Sequence, residues 1–292
     1  MNLIIQGEDV ETSELKEVHR IARGEAIERI SDAAFRITQA DPATKEEVAA
    51  RCAKARLDWG FVPEGRTLAH FGLLAMDMDS TLITIECIDE IADFAGRKAE
   101  VAAVTESAMR GEIDWPESLR RRVKALAGLE ESALGRVYEE RLRFNQGAEK
   151  LLAAAKRNGV KTLLVSGGFT YFTDRVRARL GFDYAYSNTL VVEGSRLAGT
   201  VTGPPVDAHG KAAHVARIGK ELGLARERVM AIGDGANDLL MMAEAGTSIA
   251  YHAKPVVKER AGYALDYAGL DGLLALFPDS SGLDSSRAGS GK

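Results

Sequence analysis

The sequence is poor in cysteine, proline and histidine, and it contains no long hydrophobic run. Two cysteines, Cys52 and Cys87, are too few for a disulfide framework or a zinc site, so we expect free thiols in a reducing cytoplasm. The five histidines are scattered, without metal-ligand spacing. No apolar run approaches the roughly 20 residues that span a bilayer. The N-terminus also lacks the pattern of a signal peptide, so we expect a cytoplasmic protein without a membrane partner.

The composition is that of an ordinary globular protein with a slight excess of acid. Apolar residues make up 46% and charged residues 28% of 292 residues, enough for one large domain and a small one. The 38 basic and 43 acidic residues give a net charge of −5. Since no basic excess is available to meet phosphate backbones, we expect no nucleic-acid partner.

Residues 1–70 form a distinct unit with alternating strand and helix patterns. Strands are predicted at 3–5, 27–30, 33–37 and 58–62. One helix follows the first strand, and a second opens at Asp41-Pro42 with Thr44 as its cap. This βαββαβ order is a ferredoxin-like plan. The unit has no glycine-rich loop or polar cluster, so we expect it to serve packing or dimerisation, the latter giving a homodimer.

From residue 71 onward the pattern is that of a parallel sheet covered by helices. Apolar strands at 73–76, 162–165, 229–232 and 248–250 alternate with helical stretches. The long stretch between the first two strands is helical throughout, at 88–95, 98–109, 116–126 and 132–142, which suggests a lid over the first strand's end. Residues 190–200 are predicted to form a hairpin turning at Glu193-Gly194. The Ser/Gly-rich tail, 278–292, is predicted to be disordered.

Three polar motifs each follow a predicted strand of this second domain. Asp77 and Asp79 follow the first strand, Ser166-Gly167-Gly168 the second, and Gly233-Asp234-Gly235 the third. Each motif by itself also suits a plain turn. Because ligands bind at the carboxyl ends of the strands of an open parallel sheet, all three together indicate a functional site.

The residue types at these strand ends suit phosphate and metal chemistry. Asp77, Asp79 and Asp234 offer the hard oxygen ligands that Mg²⁺ prefers, and Mg²⁺ binds a few carboxylates together with substrate phosphate. Ser166 and the amides after it can hold phosphate oxygens. Lys211 opens a helix, where anions already bind favourably, although a lone lysine there is more often a solvated helix-end residue.

Four segments and one lysine carry a resemblance to a known family. They are DMDSTLITIECIDEIA (77–92), ESLRRRV (117–123), LLVSGGFTYFT (163–173), IGDGANDLLMMAEAG (232–246) and Lys211. This ensemble resembles the haloacid dehalogenase (HAD) phosphatases and, more closely, bacterial phosphoserine phosphatases, over about residues 71–276. The resemblance implies a HAD-like Rossmannoid α/β domain at 71–277 with a helical cap at about 88–146. The unit at 1–70 resembles the small ACT-like modules attached to amino-acid enzymes.

The resemblance also implies a role for each matching position. Asp77 is the implied nucleophile, which forms an aspartyl-phosphate, and Asp79 the implied acid–base residue. Glu86 is implied to hold the substrate's amino group and Arg122 its carboxylate. The other implied contacts, to phosphate, metal and substrate, are Ser166, Gly167, Lys211, Asp234 and Asn237. Asp238 would hold Lys211, and Trp115 occupies a position where relatives often have Phe.

Two of these positions have simpler explanations. Glu86 could be an acid that stabilises the start of a helix. Arg122 belongs to a run of three arginines, which usually forms a solvated face, although it adjoins the apolar seam of Leu119 and Val123.

The predicted function is Mg²⁺-dependent hydrolysis of O-phosphoserine to serine and phosphate, the last step of serine biosynthesis. One alternative is an enzyme that acts on another small phosphomonoester, such as phosphohomoserine, or transfers the phosphoryl group to an alcohol. Another is a regulatory protein that has lost turnover. The presence of both Asp77 and Asp79 argues against that last alternative.

Overall fold

A computed structural model describes residues 1–110 and 112–280 of the chain. The part of the predicted disordered tail from residue 281 onward lies outside the described residues. Before it, Asp279 accepts a hydrogen bond of 2.6 Å from the Asn158 side chain. No helix within the described ranges is both long and apolar enough to cross a membrane.

The N-terminal unit is a four-stranded antiparallel sheet with two helices. Its elements are β1 Asn2–Gln6, α1 Thr12–Ala22, β2 Ile27–Ser31, β3 Ala34–Ile37, α2 Lys45–Ala55 and β4 Asp58–Val62. The strand order is β2-β3-β1-β4, with every neighbouring pair antiparallel, so the predicted βαββαβ order is confirmed. Thr44 does precede α2, but its hydroxyl donates to the Asp41 carbonyl at 2.7 Å instead of capping the helix.

Strand β1 of the small sheet is buried on both faces. Leu3 and Ile5 of β1 pack with the inner sides of α1 and α2. Ile4, between them, points the other way and joins the core of the larger domain, as does Val62 of β4. Because successive residues of a strand face opposite sides, this double burial explains the continuous apolar run in β1.

The larger domain is built on a seven-stranded sheet among the described residues. Its strands are β5 Leu73–Met76, β6 Lys161–Phe169, β7 Tyr184–Glu193, β8 Arg196–Thr202, β9 Val229–Gly233, β10 Thr247–Tyr251 and β11 Tyr263–Leu265. They lie in the order β11-β10-β9-β5-β6-β7-β8, and the β7–β8 pair alone is antiparallel within that described set. Since β6 and β9 flank β5, the three strands that precede the polar motifs end side by side.

Helices cover this sheet and form the predicted cap between β5 and β6. The cap contains α3 Cys87–Phe94, α4 Lys98–Met109, α5 Trp115–Ala125 and α6 Ser132–Arg136, which continues as a π-helical turn, Val137–Arg141. The remaining helices are α7 Ala148–Arg157, α8 Thr170–Leu180, α9 Ala208–Glu221, α10 Leu239–Ala243, α11 Pro255–Lys258 and α12 Leu273–Leu276. The predicted α/β fold with a largely parallel sheet and an inserted helical cap is therefore confirmed.

The predicted hairpin is present, but its turn lies one residue further along the chain. Glu193 pairs with Arg196, so Gly194 and Ser195 form the two-residue turn. Both have positive φ values, 54° and 62°. This conformation matches the right-handed twist of the strands that the turn joins.

Candidate active site

The three polar motifs meet around one cavity at the carboxyl edge of the sheet. Asp77 directly follows β5, and its amide donates to the Ile232 carbonyl of β9 at 3.1 Å. Asp234 follows β9, and the pairing of β6 with β7 shifts register between Val165 and Phe169, where the Ser-Gly-Gly motif lies. The cavity has a volume of about 200 Å³. Its lining includes Asp77, Asp79, Glu86, Asp89, Trp115, Arg122, Gly167, Lys211, Asp234, Asn237 and Lys254.

The residues predicted to act in catalysis or to contact metal, phosphate or substrate line this cavity, except for Ser166, which is fully buried. The buried Ser166 hydroxyl donates to Asp79 Oδ2 at 3.0 Å and accepts from the Gly168 amide at 2.8 Å. The Cys87 amide, at the start of the cap helix α3, donates to Asp79 Oδ1 at 2.8 Å. Both carboxylate oxygens of Asp79 therefore have donors, which fix its orientation.

A buried lysine links two of the carboxylates. Lys211 Nζ lies 2.7 Å from Asp77 Oδ1 and 2.7 Å from Asp238 Oδ1, and the lysine side chain is 1% exposed. Asp238 is held in turn by its Oδ2, which accepts from the amides of Asp234 and Gly235 at 3.1 and 3.0 Å. Burial opposes a charge on Lys211, but the carboxylates of Asp238 and Asp77 raise its pKa above the ordinary value. The lysine is therefore a fixed cation at the edge of the cavity.

The acids near Lys211 fit a divalent cation. Carboxylate oxygens of Asp77, Asp234 and Asp238 lie within 4.8 Å of one another. Asp77 Oδ1 is buried and, despite its closeness to Lys211, accepts no well-aligned hydrogen bond from any described group. Burial and then the charge of Asp238 raise the pKa of Asp77, and the same two causes raise that of Asp234 to about 6. A hard cation would offset this excess of negative charge.

Another part of the cavity lining comes from the cap and carries a buried cation, Arg122. Arg122 is 8% exposed, its guanidinium lies 5.2 Å from the centre of the Trp115 ring, and its Nε has no hydrogen-bond acceptor among the described residues. Its two neighbours in the arginine run instead form ion pairs with Glu117 on the outer face. Burial lowers the pKa of Arg122, while Glu86 and Asp89 counteract that effect. A buried cation with a free donor indicates a site for an anionic ligand group.

Glu86 lines the same cavity as Arg122. Its Oε1 accepts from the Ser80 hydroxyl at 2.7 Å, and Ser80 occupies a turn with a φ of 57°. Glu86 is an exposed residue that lines the cavity. Loss of hydration around its carboxyl group, and then the charge of Asp79, raise the pKa of Glu86 to about 8. Glu86 and Arg122 thus bring a carboxyl group and a guanidinium group to the same cavity.

Several residues of the site were missed by the sequence analysis. Asn188 of β7 donates to the Gly167 carbonyl at 2.8 Å and accepts from the Val206 amide at 2.8 Å. Thr81 donates to Asp234 Oδ1 at 2.9 Å. Asp89 lines the cavity one helical turn after Glu86, a spacing that could have identified it. Neither Asn188 nor Lys254 belongs to a local pattern that marks it as part of the site.

Comparison with known proteins gives the family. A family model described as haloacid dehalogenase-like hydrolase matches residues 74–243, and a model described as a domain of unknown function matches residues 3–48. The phosphoserine phosphatase of Albidiferax ferrireducens is 53% identical over 223 residues, which cover 75% of this chain and 94% of that protein.

Solved structures extend the likeness over the whole chain. A HAD family hydrolase from Salmonella enterica serovar Typhi superposes with a TM-score of 0.87 at 32% identity, covering 96% of this chain and 99% of that one. An unliganded probable phosphoserine phosphatase from Vibrio cholerae gives 0.83 at 35% identity, covering 100% and 90%. The protein is thus a haloacid dehalogenase-like hydrolase and belongs, within that group, to the phosphoserine phosphatase family.

Proposed function

We propose that this protein hydrolyses O-phosphoserine to serine and phosphate with Mg²⁺ as its cofactor. The observation that carries the substrate is the buried Arg122, whose Nε has no hydrogen-bond acceptor among the described residues and which lines the same cavity as Glu86. Arg122 holds the substrate carboxylate and Glu86 the ammonium group. The relatives' activity supports the same substrate. Serine formation in the cytoplasm is the corresponding role, and the buried free thiols of Cys52 and Cys87 suit that compartment.

In the first chemical step, a carboxylate oxygen of Asp77 attacks phosphorus and the bond from phosphorus to the seryl oxygen breaks. Asp79 gives its proton to that oxygen as serine leaves. In the second step Asp79 takes a proton from a water molecule, whose oxygen attacks the aspartyl-phosphate and releases phosphate and free Asp77. A covalent route of this kind divides one difficult displacement into two easier ones. The donors from Cys87 and Ser166 hold Asp79 in place for both proton transfers.

The phosphate group lies against the end of β6 and the start of α9. Gly167 and Lys211 contact its oxygens, Ser166 shapes the turn from below, and Asn237 contacts the substrate from the loop after β9. Asp238 keeps Lys211 aimed at the reacting group. Lys211 thereby offsets the negative charge that Asp77 and the phosphate bring together.

The carboxylates of Asp77 and Asp234 would hold the metal, with Asp79 as the third predicted ligand. Mg²⁺ suits such a site because it takes one or two carboxylates together with substrate phosphate. When bound, the cation lowers the electrostatic repulsion between the nucleophile and the phosphate dianion.

Phosphate release from matched substrates tests the proposal. Phosphoserine should be strongly preferred to phosphoethanolamine, which lacks the carboxylate, and to 3-phosphoglycerate, which has a hydroxyl in place of the ammonium group. A chelator should abolish turnover and added Mg²⁺ should restore it. Equal hydrolysis of phosphoserine and phosphoethanolamine would contradict the substrate, and full activity in excess chelator would contradict the metal. A preference for phosphohomoserine, or phosphoryl transfer to an added alcohol, would favour the alternative enzymes.

A further inference from the structure

The chain that leaves the lid helix α5 is joined to the outer edge of strand β8 by main-chain hydrogen bonds. The Gly128 amide donates to the Leu197 carbonyl at 2.8 Å, and the Leu197 amide donates to the Leu129 carbonyl at 2.8 Å. The Glu131 amide donates to the Ser195 carbonyl at 2.9 Å. Residues 128–131 thus pair with the edge of β8 through an isolated antiparallel bridge between Glu130 and Arg196. The cap is therefore bonded to β8 in addition to its two chain connections.

Arg196 reinforces this junction from the side. Its Nη1 donates to the Gly128 carbonyl at 2.7 Å, and its Nη2 lies 3.2 Å from Glu130 Oε1. Both charged side chains are more than half exposed, so the ion pair itself contributes little. The hydrogen bond to the Gly128 carbonyl instead joins Arg196 to the main chain that follows α5.

Strand β8 also touches α5 directly, at a glycine. Gly199 has a φ of 79°, and a Cβ built on it would lie 2.7 Å from Ala127 Cβ and 3.4 Å from Lys124 Cα. At 3.6 residues per turn, Lys124 and Arg122 point about 200° apart around the helix axis. The end of α5 therefore rests on β8 on one side, while Arg122 faces the cavity on the other.

The same hairpin is tied to the phosphate side of the site through Asn188 of β7. This buried side chain donates to the Gly167 carbonyl, as described above. One hairpin thus contacts both the turn that lines the phosphate end and the helix that carries Arg122. The two ends of the cavity share it as a common support.

We infer that hairpin β7–β8 positions Arg122 relative to the phosphate site, with Gly199 and Arg196 as positioning residues for recognition of the substrate carboxylate. The inference rests on the proposed function in taking Arg122 as the carboxylate contact. Misplacement of a binding group by about 1 Å can cost up to about 100-fold in rate. Small changes in β8 should therefore act on carboxylate recognition and leave the chemistry at Asp77 intact.

The decisive comparison is Gly199→Ala against Gly203→Ala. Both glycines have left-handed φ values, 79° and 73°, so both substitutions strain the backbone, but no described atom lies within 4 Å of a Cβ at Gly203. For Gly199→Ala we expect kcat/KM for phosphoserine to fall about tenfold, mainly through KM. The value for phosphoethanolamine should stay within about twofold, and Gly203→Ala should leave the ratio of the two substrates unchanged. An unchanged ratio in folded Gly199→Ala would overturn the inference.

Arg196 gives a second test that does not depend on folding of the glycine variant. Arg196→Ala should lower the ratio of phosphoserine to phosphoethanolamine about threefold, and Arg196→Lys should restore part of it. In hydrogen exchange of the native protein, the amides of Gly128 and Glu131 should be protected, and Arg196→Ala should weaken that protection. Rapid exchange in the native protein, or an Arg196→Ala variant that keeps the native ratio, would refute the inference. A native ratio near one would instead refute the proposed function.

Discussion

At the scale of single residues, the site is a group of buried charges that depend on one another. Lys211 lies between Asp77 and Asp238, and neither carboxylate is open to bulk water. Removing one member of such a group leaves an uncompensated charge in a poorly polarisable environment, which typically costs about 3–5 kcal/mol. Arg122 is the exception, since its Nε has no hydrogen-bond acceptor in the part of the chain that the structure describes. The charges around Lys211 thus support one another, whereas Arg122 depends on a ligand.

The first prediction separates the two aspartates that follow β5. Asp77→Asn should abolish turnover and the acid-stable, base-labile phosphoenzyme. Asp79→Asn should slow phosphoserine hydrolysis roughly 10²–10⁴-fold, because a proton donor is lost. An aryl phosphate, whose leaving group needs little protonation, should lose much less. Steady-state rates on both substrates measure this difference, and equal losses would argue against Asp79 as the acid.

The second prediction concerns recognition of the carboxylate by Arg122. Lysine keeps the charge but lacks the planar fork of donors. Arg122→Lys should therefore raise the activation barrier in kcat/KM for phosphoserine by about 1.5–3 kcal/mol. Phosphoethanolamine should be barely affected. The control is Arg121→Lys, because Arg121 pairs with Glu117 on the outer face. A similar loss of kcat/KM in Arg121→Lys would argue against a specific role of Arg122.

The third prediction follows from the raised pKa of Glu86, about 8 in the absence of substrate against an ordinary value of 4.5. Only the ionised carboxyl attracts an ammonium group, so the KM for phosphoserine should fall as the pH rises from 6 towards 8. The KM for 3-phosphoglycerate should not show this fall. Glu86→Gln should remove the pH effect, and a pH profile that is the same with and without the carboxyl would contradict the assignment.

The raised pKa of Glu86 also makes the stability of the protein depend on pH, because the folded and unfolded states bind this proton with different affinities. A carboxyl whose pKa is raised by folding contributes stability that is complete below about pH 4.5 and is lost as the pH rises through about 8. Without substrate, Glu86→Gln should therefore become more stable relative to the native protein at pH 9 than at pH 5. Urea unfolding at the two pH values measures the difference, and Glu64→Gln, on an exposed turn, serves as the control.

At the scale of elements, the order of strands decides which motifs meet. Sheet pairing places β5 between β6 and β9, so three motifs far apart in sequence end within one cavity. The cap then supplies another part of the cavity lining. Hairpin β7–β8 contacts both the cap and the turn at Gly167. The site is therefore assembled by neighbouring strand ends and closed by an inserted helical unit.

The fourth prediction tests the contribution of β7 to the phosphate end. Asn188→Ala would leave the Gly167 carbonyl and the Val206 amide without their partner, each at a cost of about 1–3 kcal/mol if no water replaces it. Because Gly167 lines the phosphate end, kcat/KM should fall by the same factor for phosphoserine and phosphoethanolamine. A loss confined to phosphoserine would place the effect of Asn188 on the carboxylate side.

At the scale of the whole molecule, the N-terminal unit is part of the packing of the catalytic domain. Its sheet buries Ile4 and Val62 in the core of the larger domain. Tyr263 of β11 also donates its hydroxyl to the Phe61 carbonyl at 3.0 Å. The interface combines apolar packing with directed polar contacts, and the unit therefore stabilises the domain that carries the site.

The fifth prediction concerns Asp58, the main polar contact across that interface. Its buried carboxylate accepts from the amides of Asp266, Tyr267 and Ala268 at 2.7, 3.0 and 2.8 Å. Asp58→Ala should lower the free energy of unfolding by about 2–4 kcal/mol, since charge-assisted bonds are lost and the amides are left without their acceptor. Urea unfolding measures the change, with the exposed Asp9→Ala as control; an unchanged midpoint would show that apolar packing alone holds the unit.

The sequence by itself determined the features that depend on neighbours along the chain. Alternation and 3.6-residue periodicity predict most strands and helices, because each pattern reflects which faces of one element are apolar. The carboxylates and glycines after β5, β6 and β9 were predictable as a site for the same reason: an abrupt change from apolar to polar marks a strand end. The position of the hairpin turn was one residue off, since both Glu193-Gly194 and Gly194-Ser195 contain the glycine that such a turn favours.

Only the tertiary structure decided the features that depend on contacts between distant segments. Nothing near Asn188 in the sequence indicates its bond to Gly167, and nothing near Asp58 indicates the three amides some 200 residues away. The burial of Arg122, unlike Arg120 and Arg121, depends on which face of α5 meets the cavity and which meets β8. A residue's partners are set by the packing of whole elements, because hydrogen bonds and burial act over a few ångströms in space, whatever the separation along the chain.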